Sequence, residues 1–261
     1  MSAVASTALT DAEIDTRRRA EVAWSCRMLA MGGHGDYTLG HVSARAANGS
    51  HVLMKPNGLG LEEVTPDDIL RLDPDGVRLV GSGPVHLEQV LHTEIYKARP
   101  DVGAVIHTHP PYATAFGATD ATLALLNHDA VLFREGLAIF DATAELIVTT
   151  EQGAAVAAAL GEKRVLVLRG HGVIVTGADA PWATYAALTL ERVLRIQSIA
   201  GTLGNLRPMS ADMADRVYPD KYRDDHVAAY WSYLQRLARR SGFAAGMPDA
   251  IDDSLPGGGD A

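Results

Sequence analysis

Two spacings of apolar residues alternate along this 261-residue chain. A three-to-four-residue spacing runs through "TDAEIDTRRRAEVAWSCRMLAMGG", where Thr10 and Asp11 can cap and Gly32-Gly33 can stop, and it predicts a first helix. Short β-type runs follow in "HVSARA" and "HVLMKP", parted by the turn "ANGS". "DDILRLDPDGVRLVGSG" predicts a hairpin turning at Asp73-Pro74-Asp75-Gly76. Helical spacing returns in "VHLEQVLHTEIYKARPD" at Val85, Val90, Leu91 and Ile95 and stops before Pro100. "VGAVIH" reads as a strand and "PPYATAFGA" as a helix, and "TAELIVTTEQGAAVAAALGE" contains a helix ending at Gly161. "RVLVLRGHGVIVTG" reads as two strands broken at Gly170-His171-Gly172. Two long helices close the pattern, "DAPWATYAALTLERVLRIQSIAGTLG" and "YRDDHVAAYWSYLQRLARRSG". Repeats and linkers are absent, so the expected organisation is a single mixed α/β domain over residues 10–243. It is preceded by a flexible stretch over 1–9 and followed by a disordered Gly-, Asp- and Pro-rich tail over 244–261.

Composition narrows the function. Forty-seven per cent apolar residues supply a buried core, and a net charge of −9 argues against a nucleic-acid partner, which needs clustered Lys and Arg. Apolar runs fall short of the ~18 residues of a membrane span. "MSAVASTALTDAEIDTRRR" lacks the apolar centre of a signal peptide, so a soluble, cytoplasmic protein is expected. The single cysteine, Cys26, rules out an internal disulfide and a Cys-rich zinc site, and its helical context reads as core. A bound metal would therefore be held by His, Asp or Glu.

Candidate chemistry begins at "GAVIHTHPPY". Side chains alternate along a strand, so His107 and His109 point one way and Thr108 the other, at a strand end that Pro110-Pro111 redirects. Two imidazoles so placed could reach one cation at ~2.0–2.1 Å, or could be two surface histidines. His171, between glycines and two apolar strands, is a third candidate ligand or a buried structural histidine. Glu88 lies on the helix before the "HTH" strand, with His92 one turn later. It could be a ligand, a base or a solvated glutamate. His92 reads as support or packing, while His51 and His226 read as structural or solvent-facing. His34 and Asp36 in "GGHGDYTLG" could face the same pocket, whereas strand alternation points Arg169 away from it.

The stretches "GHVSAR", "MKPNG", "HLEQVLHTEIYKARPDVGAVIHTHP" and "RGHGVIVTG", in this order, resemble the class II aldolase/adducin family over roughly residues 12 to 240. That resemblance implies an α/β/α sandwich around a mainly antiparallel sheet. It implies one divalent cation per subunit (Zn, Mn, Co or Fe) on His107, His109 and His171, and Glu88 as catalytic acid/base. It also implies a small-molecule substrate and a homotetramer with active sites between subunits, which Tyr218, Tyr222 and Tyr230 could reach if they do not simply pack beside Trp231.

Departures from the family pattern bear on the substrate. His41 stands in "GHVSAR" where sugar-phosphate members have Asn, "KPNG" offers Asn57 and Gly58, and His86-Leu87 replaces a Ser-Ser pair before the catalytic acid. A phosphate needs several donors to offset its desolvation, and Leu87 supplies none. His41, Lys55, Asn57, Gly58 and His86 are thus expected to line a site for a planar, hydroxylated, carboxylated ring. The leading expectation is decarboxylation of a non-phosphorylated aromatic or pyridine (di)carboxylate. The alternatives are aldol cleavage of a sugar phosphate, with His86 and Lys55 holding the phosphate, or of a hydroxy-keto acid, then an iron-dependent oxygenase and a non-catalytic adducin-like module.

Overall fold

The computed structural model describes residues 9–248. Helix α1 (Asp11–Leu29) starts from a capping box. Thr10 Oγ1 accepts from the Glu13 N–H, and Glu13 returns a carboxylate to the Thr10 N–H. A π turn (Ala30–His34) ends it, kinked at Gly33. The chain then lays down β1 (His41–Arg45), β2 (Val52–Met54), β3 (Leu70–Leu72) and β4 (Arg78–Val80). Next come α2 (Val90–Ala98), β5 (Ala104–Thr108), α3 (Pro111–Gly117), β6 (Ala138–Phe140) and α4 (Thr150–Leu160). The remainder is β7 (Val165–Leu168), β8 (Gly172–Gly177), α5 (Ala180–Leu203), α6 (Ala211–Lys221) and α7 (Asp224–Arg240).

One eight-stranded sheet runs β4-β3-β2-β1-β5-β8-β7-β6. Its pairings are antiparallel except β6 with β7. Alternate strand residues build two cores. Val42, Ala44, Ala104, Ile106, Val173 and Val175 meet α1 and α5 on one face. Val52, Met54, Val105, Leu166, Leu168 and Ile174 meet α2 and α4 on the other. This is the expected sandwich. Burying both faces explains why β5, β7 and β8 read as continuous apolar runs. Cys26 is fully buried, and that burial pushes its thiol up to about 12, as befits a small core residue.

Three local expectations change. The helix predicted from Val85 starts later: Leu87–Gln89 form a 3-10 turn broken at Glu88 (φ −87°, ψ 22°), and α2 begins at Val90. Tyr218, Tyr222 and Tyr230 do not pack beside Trp231. Tyr218 lies under the Arg134 guanidinium, Tyr222 donates to the His128 carbonyl (2.8 Å), and Tyr230 stacks on Tyr185, while Trp231 meets Trp24 and Met28. Residues 244–247 pack back onto the domain, with Arg27 donating to the Ala245 carbonyl (2.9 Å) and Met247 against the Trp24 cluster. Residues 1–8 of the expected flexible start and 249–261 of the expected tail lie outside the described residues.

Candidate metal centre and active site

Antiparallel register assembles the histidines. His41 at the start of β1 pairs with His107 near the end of β5, and His107 pairs with Ile174 of β8. His107 and His109 share a face, and Thr108 turns to the opposite one, where it is hydrogen-bonded to His34 (2.9 Å). The β7–β8 turn delivers His171 to the same place, with Gly170 in the left-handed region (φ 69°). Glycine is also required at 172, because a Cβ there would run into the His109 ring and come within 2.7 Å of the Thr108 carbonyl. The "HG" pair thus reflects close approach of the turn to the "HTH" strand end.

The protons on these rings can be assigned from their partners. His107 Nδ1–H donates to the Val173 carbonyl (3.1 Å), and His109 Nδ1–H donates to Asp36 (3.0 Å). Both Nε2 atoms are left as bare lone pairs, yet they face each other at 3.1 Å. Two lone pairs so close repel unless a cation sits between them. Two nitrogens bound at ~2.0–2.1 Å to one cation would be roughly 3–3.4 Å apart. His171 completes a group whose ligand atoms lie within 4.8 Å of one another. The donor set therefore fits a divalent metal, with Asp36 and the Val173 carbonyl fixing ring orientation from behind. Asp36→Asn is expected to weaken metal affinity by about 10–100-fold without unfolding the chain, read by competition with a chelator.

Glu88 completes the cluster. Its Oε1 accepts the Ile147 N–H (2.9 Å), and its Oε2 lies 3.7 Å from His107 Nε2 and 3.6 Å from His171 Nε2. Burial pushes its carboxyl up, but hydrogen bonds from His171 and Ile147 and the neighbouring imidazoles outweigh burial, and the net shift is downward. Burial, with the other rings adding to it, holds His107 and His41 well below the usual histidine range, so both are neutral.

A cavity of about 420 Å³ opens onto this cluster, lined by Asp36, His41, Asn57, His86, Glu88, His109 and His171, with Leu39, Leu87, Ala144, Leu146 and Gly170 around them. Of the residues singled out in the sequence, the cavity gathers Glu88, His109, His171, His41, Asn57 and His86, with His107 buried directly behind. Lys55 and Gly58 do not line it. Lys55 is fully buried beneath His86, its ammonium on the Thr38 and Pro56 carbonyls (3.3 and 3.1 Å) and 3.4 Å from His86 Nε2. Gly58 occupies a left-handed turn, its N–H donating to Asn57 Oδ1 (2.8 Å). Asp36 reaches the pocket and His34 does not. Arg169 turns away to Asp141 (2.9 Å). His51 and His226 serve Arg71 and the Lys221 carbonyl. The sequence reading missed Leu39, Ala144 and Leu146, which come from loops with no periodic signal. No helix among the described residues is long and apolar enough to cross a membrane.

The chain is similar to known proteins in sequence and fold. The family profile described as Class II Aldolase and Adducin N-terminal domain matches residues 20–198. The chain is 33% identical over 199 residues to the 4-hydroxy-3-prenylphenylpyruvate oxygenase/4-hydroxy-3-prenylbenzoate synthase of Streptomyces roseochromogenus subsp. oscitans, covering 74% of this chain and 71% of that protein. It is 30% identical over 239 residues to the 3,4-dihydroxyphthalate decarboxylase of Arthrobacter keyseri, covering 85% and 94%. Among solved structures, an aldolase II superfamily protein from Pseudomonas syringae superimposes with a TM-score of 0.79 at 27% identity, covering 88% and 95%.

Proposed function

The chain belongs to the class II aldolase and adducin family, and from that premise we propose that it is a metal-dependent carbon–carbon lyase that decarboxylates a non-phosphorylated, hydroxylated aromatic or pyridine (di)carboxylate. The observation that carries the reading is the cavity wall. Among the described residues lining it there is no Lys, Arg, Ser or Thr, and Lys55 is spent on backbone carbonyls below. A phosphate dianion would lack the multiple charged donors that offset its desolvation. A flat, partly apolar ring, by contrast, suits a lining that combines Leu39, Leu87 and Leu146 with imidazoles. The near-full-length similarity to a dihydroxyphthalate decarboxylase supports the same substrate class.

His107, His109 and His171 would hold the cation, with zinc, manganese, cobalt and iron all compatible with imidazole ligands. Bound there, a divalent metal supplies Lewis-acid polarisation of a substrate oxygen. Glu88 Oε2 faces the same space and takes the proton of the substrate hydroxyl. As the carboxylate carbon–ring bond breaks and CO₂ departs, the electron pair stays on the ring carbon, and Glu88 delivers its proton there. Leu39, Leu87 and Leu146 give the cavity an apolar edge beside this acid. A homotetramer and a cytoplasmic location belong to the same reading. The exposed Leu87 (69%) is a surface that a neighbouring subunit would cover.

The test is CO₂ release from a panel of hydroxylated benzene and pyridine dicarboxylates, run beside sugar phosphates and hydroxy-keto acids, with protein loaded separately with Mn²⁺, Zn²⁺ or Fe²⁺. CO₂ from an aromatic acid, lost in His109→Ala, is the expected result. Aldehyde release from a sugar phosphate with no CO₂ from any acid would overturn the reading.

A further inference from the structure

A buried hydrogen-bond chain leads away from the cavity beneath His41. On β1, His41 and Ser43 share a face. On α2, His92 and Tyr96 are one turn apart and meet that face. His41 Nδ1 is 2.6 Å from His92 Nε2, His92 Nδ1 is 2.6 Å from Ser43 Oγ, and Ser43 Oγ is 2.8 Å from the Tyr96 hydroxyl. These four side chains are 1%, 0%, 0% and 5% exposed, so water does not complete their bonding.

The direction of the chain is fixed at its far end. The Tyr96 hydroxyl must place its proton, and Ser43 is the acceptor beside it among the described residues. The Val105 N–H, the other polar group against that oxygen, is itself a donor. Tyr96 therefore donates to Ser43, Ser43 donates to His92 Nδ1, and His92 Nε2–H donates to His41 Nδ1. The reverse direction would leave a buried phenolic proton with no acceptor, which is unfavourable. One imidazole proton remains to be placed on His41, and only Nε2 is open.

We infer that Tyr96, Ser43 and His92 are positioning residues that lock His41 as the Nε2–H tautomer, making it a hydrogen-bond donor to an anionic substrate oxygen rather than a metal ligand. This resolves an ambiguity in the site. His41, Glu88 and His107 also bring ligand atoms within 4.8 Å of one another and could be taken for an alternative cage. A nitrogen that carries a proton does not ligate a cation, so the cation belongs to His107, His109 and His171. The ligand class, a carboxylate or phenolate oxygen, rests on the decarboxylase reading, whereas the tautomer does not.

The experiment is neutron diffraction, or a ¹⁵N imidazole spectrum, on the full zinc-loaded chain, for the parent protein and Ser43→Ala. The proton is expected on His41 Nε2 in the parent, and distributed over both nitrogens once Ser43 no longer donates to His92. A proton on Nδ1 in the parent overturns the inference. So does an unchanged Nε2–H in Ser43→Ala, because the chain would then not be what sets it. The parent measurement decides alone if the variant fails to fold. With 2-hydroxybenzoate as probe, Ser43→Ala is expected to bind about 10–100-fold more weakly. Equal binding with the predicted tautomers would overturn the substrate contact and leave the lock standing.

Discussion

Glu88→Gln is expected to lower kcat by about 10²–10⁴-fold while the protein keeps its metal and its fold. The expectation is specific because the two oxygens of Glu88 do different things. Oε1 accepts the buried Ile147 N–H, a duty the glutamine carbonyl oxygen can take over, so the loop carrying Ile147 keeps its anchor. Oε2, between His107 and His171, is replaced by an amide nitrogen that can neither take nor return a proton. With proton transfer at the ring carbon removed, kcat falls more than KM rises. Metal content by elemental analysis and turnover on whichever acid releases CO₂ are the two readings needed. Loss of metal in the variant would make Glu88 a resting ligand, and undiminished kcat would remove it from the chemistry altogether.

The second large effect is on stability against acid. Burial holds His92 at about 3, with His86 adding to it. Burial holds His34 at about 4 and His86 at about 3, with Lys55 pushing His86 further down. All three are neutral in the folded chain, whereas each would take up a proton near pH 6.5 once unfolded. The unfolded state then binds more protons, so stability rises with pH between these limits: it is full above about 6.5 and drains away as the pH falls towards 4 and 3. Each such histidine costs about 1.4 kcal/mol per pH unit below 6.5, so at pH 5 the three remove roughly 6 kcal/mol, comparable to the whole stability of many domains. Glu21, Asp179 and Glu191, raised by burial, work in the opposite sense nearer the carboxylate range. Urea unfolding of metal-free protein at pH 7 and pH 5 is the check. A midpoint that does not move would mean these rings are protonated in the folded state.

Much of the centre could be read along the chain because its parts lie at the ends of strongly patterned strands. The alternation that makes β5 apolar also puts His107 and His109 on one side, and the glycines around His171 mark the turn that must come close. Lys55 was less accessible to such reasoning. A lysine in "MKPNG" reads as a charge in a turn, and only the approach of the loop carrying Thr38 shows its ammonium committed to carbonyls. β6 escaped notice because "AIF" is three residues long and gains its identity from pairing with β7, far along the chain. Helix α6 escaped because Pro219 interrupts its sequence and only Ala214 is buried on it. The proton chain under His41 needs a strand and a helix in register, which no single segment encodes.

The sealed position of Cys26 gives the molecule a built-in clock. A thiol reagent reaches its sulfur only when α1 lifts from the sheet, and the thiolate that must react is scarce until then. Where labelling outpaces reclosing, the labelling rate measures how often the α1–sheet face comes apart, and where opening and reclosing are faster it measures the fraction of time that face is open. With a single cysteine in the sequence, the signal needs no assignment.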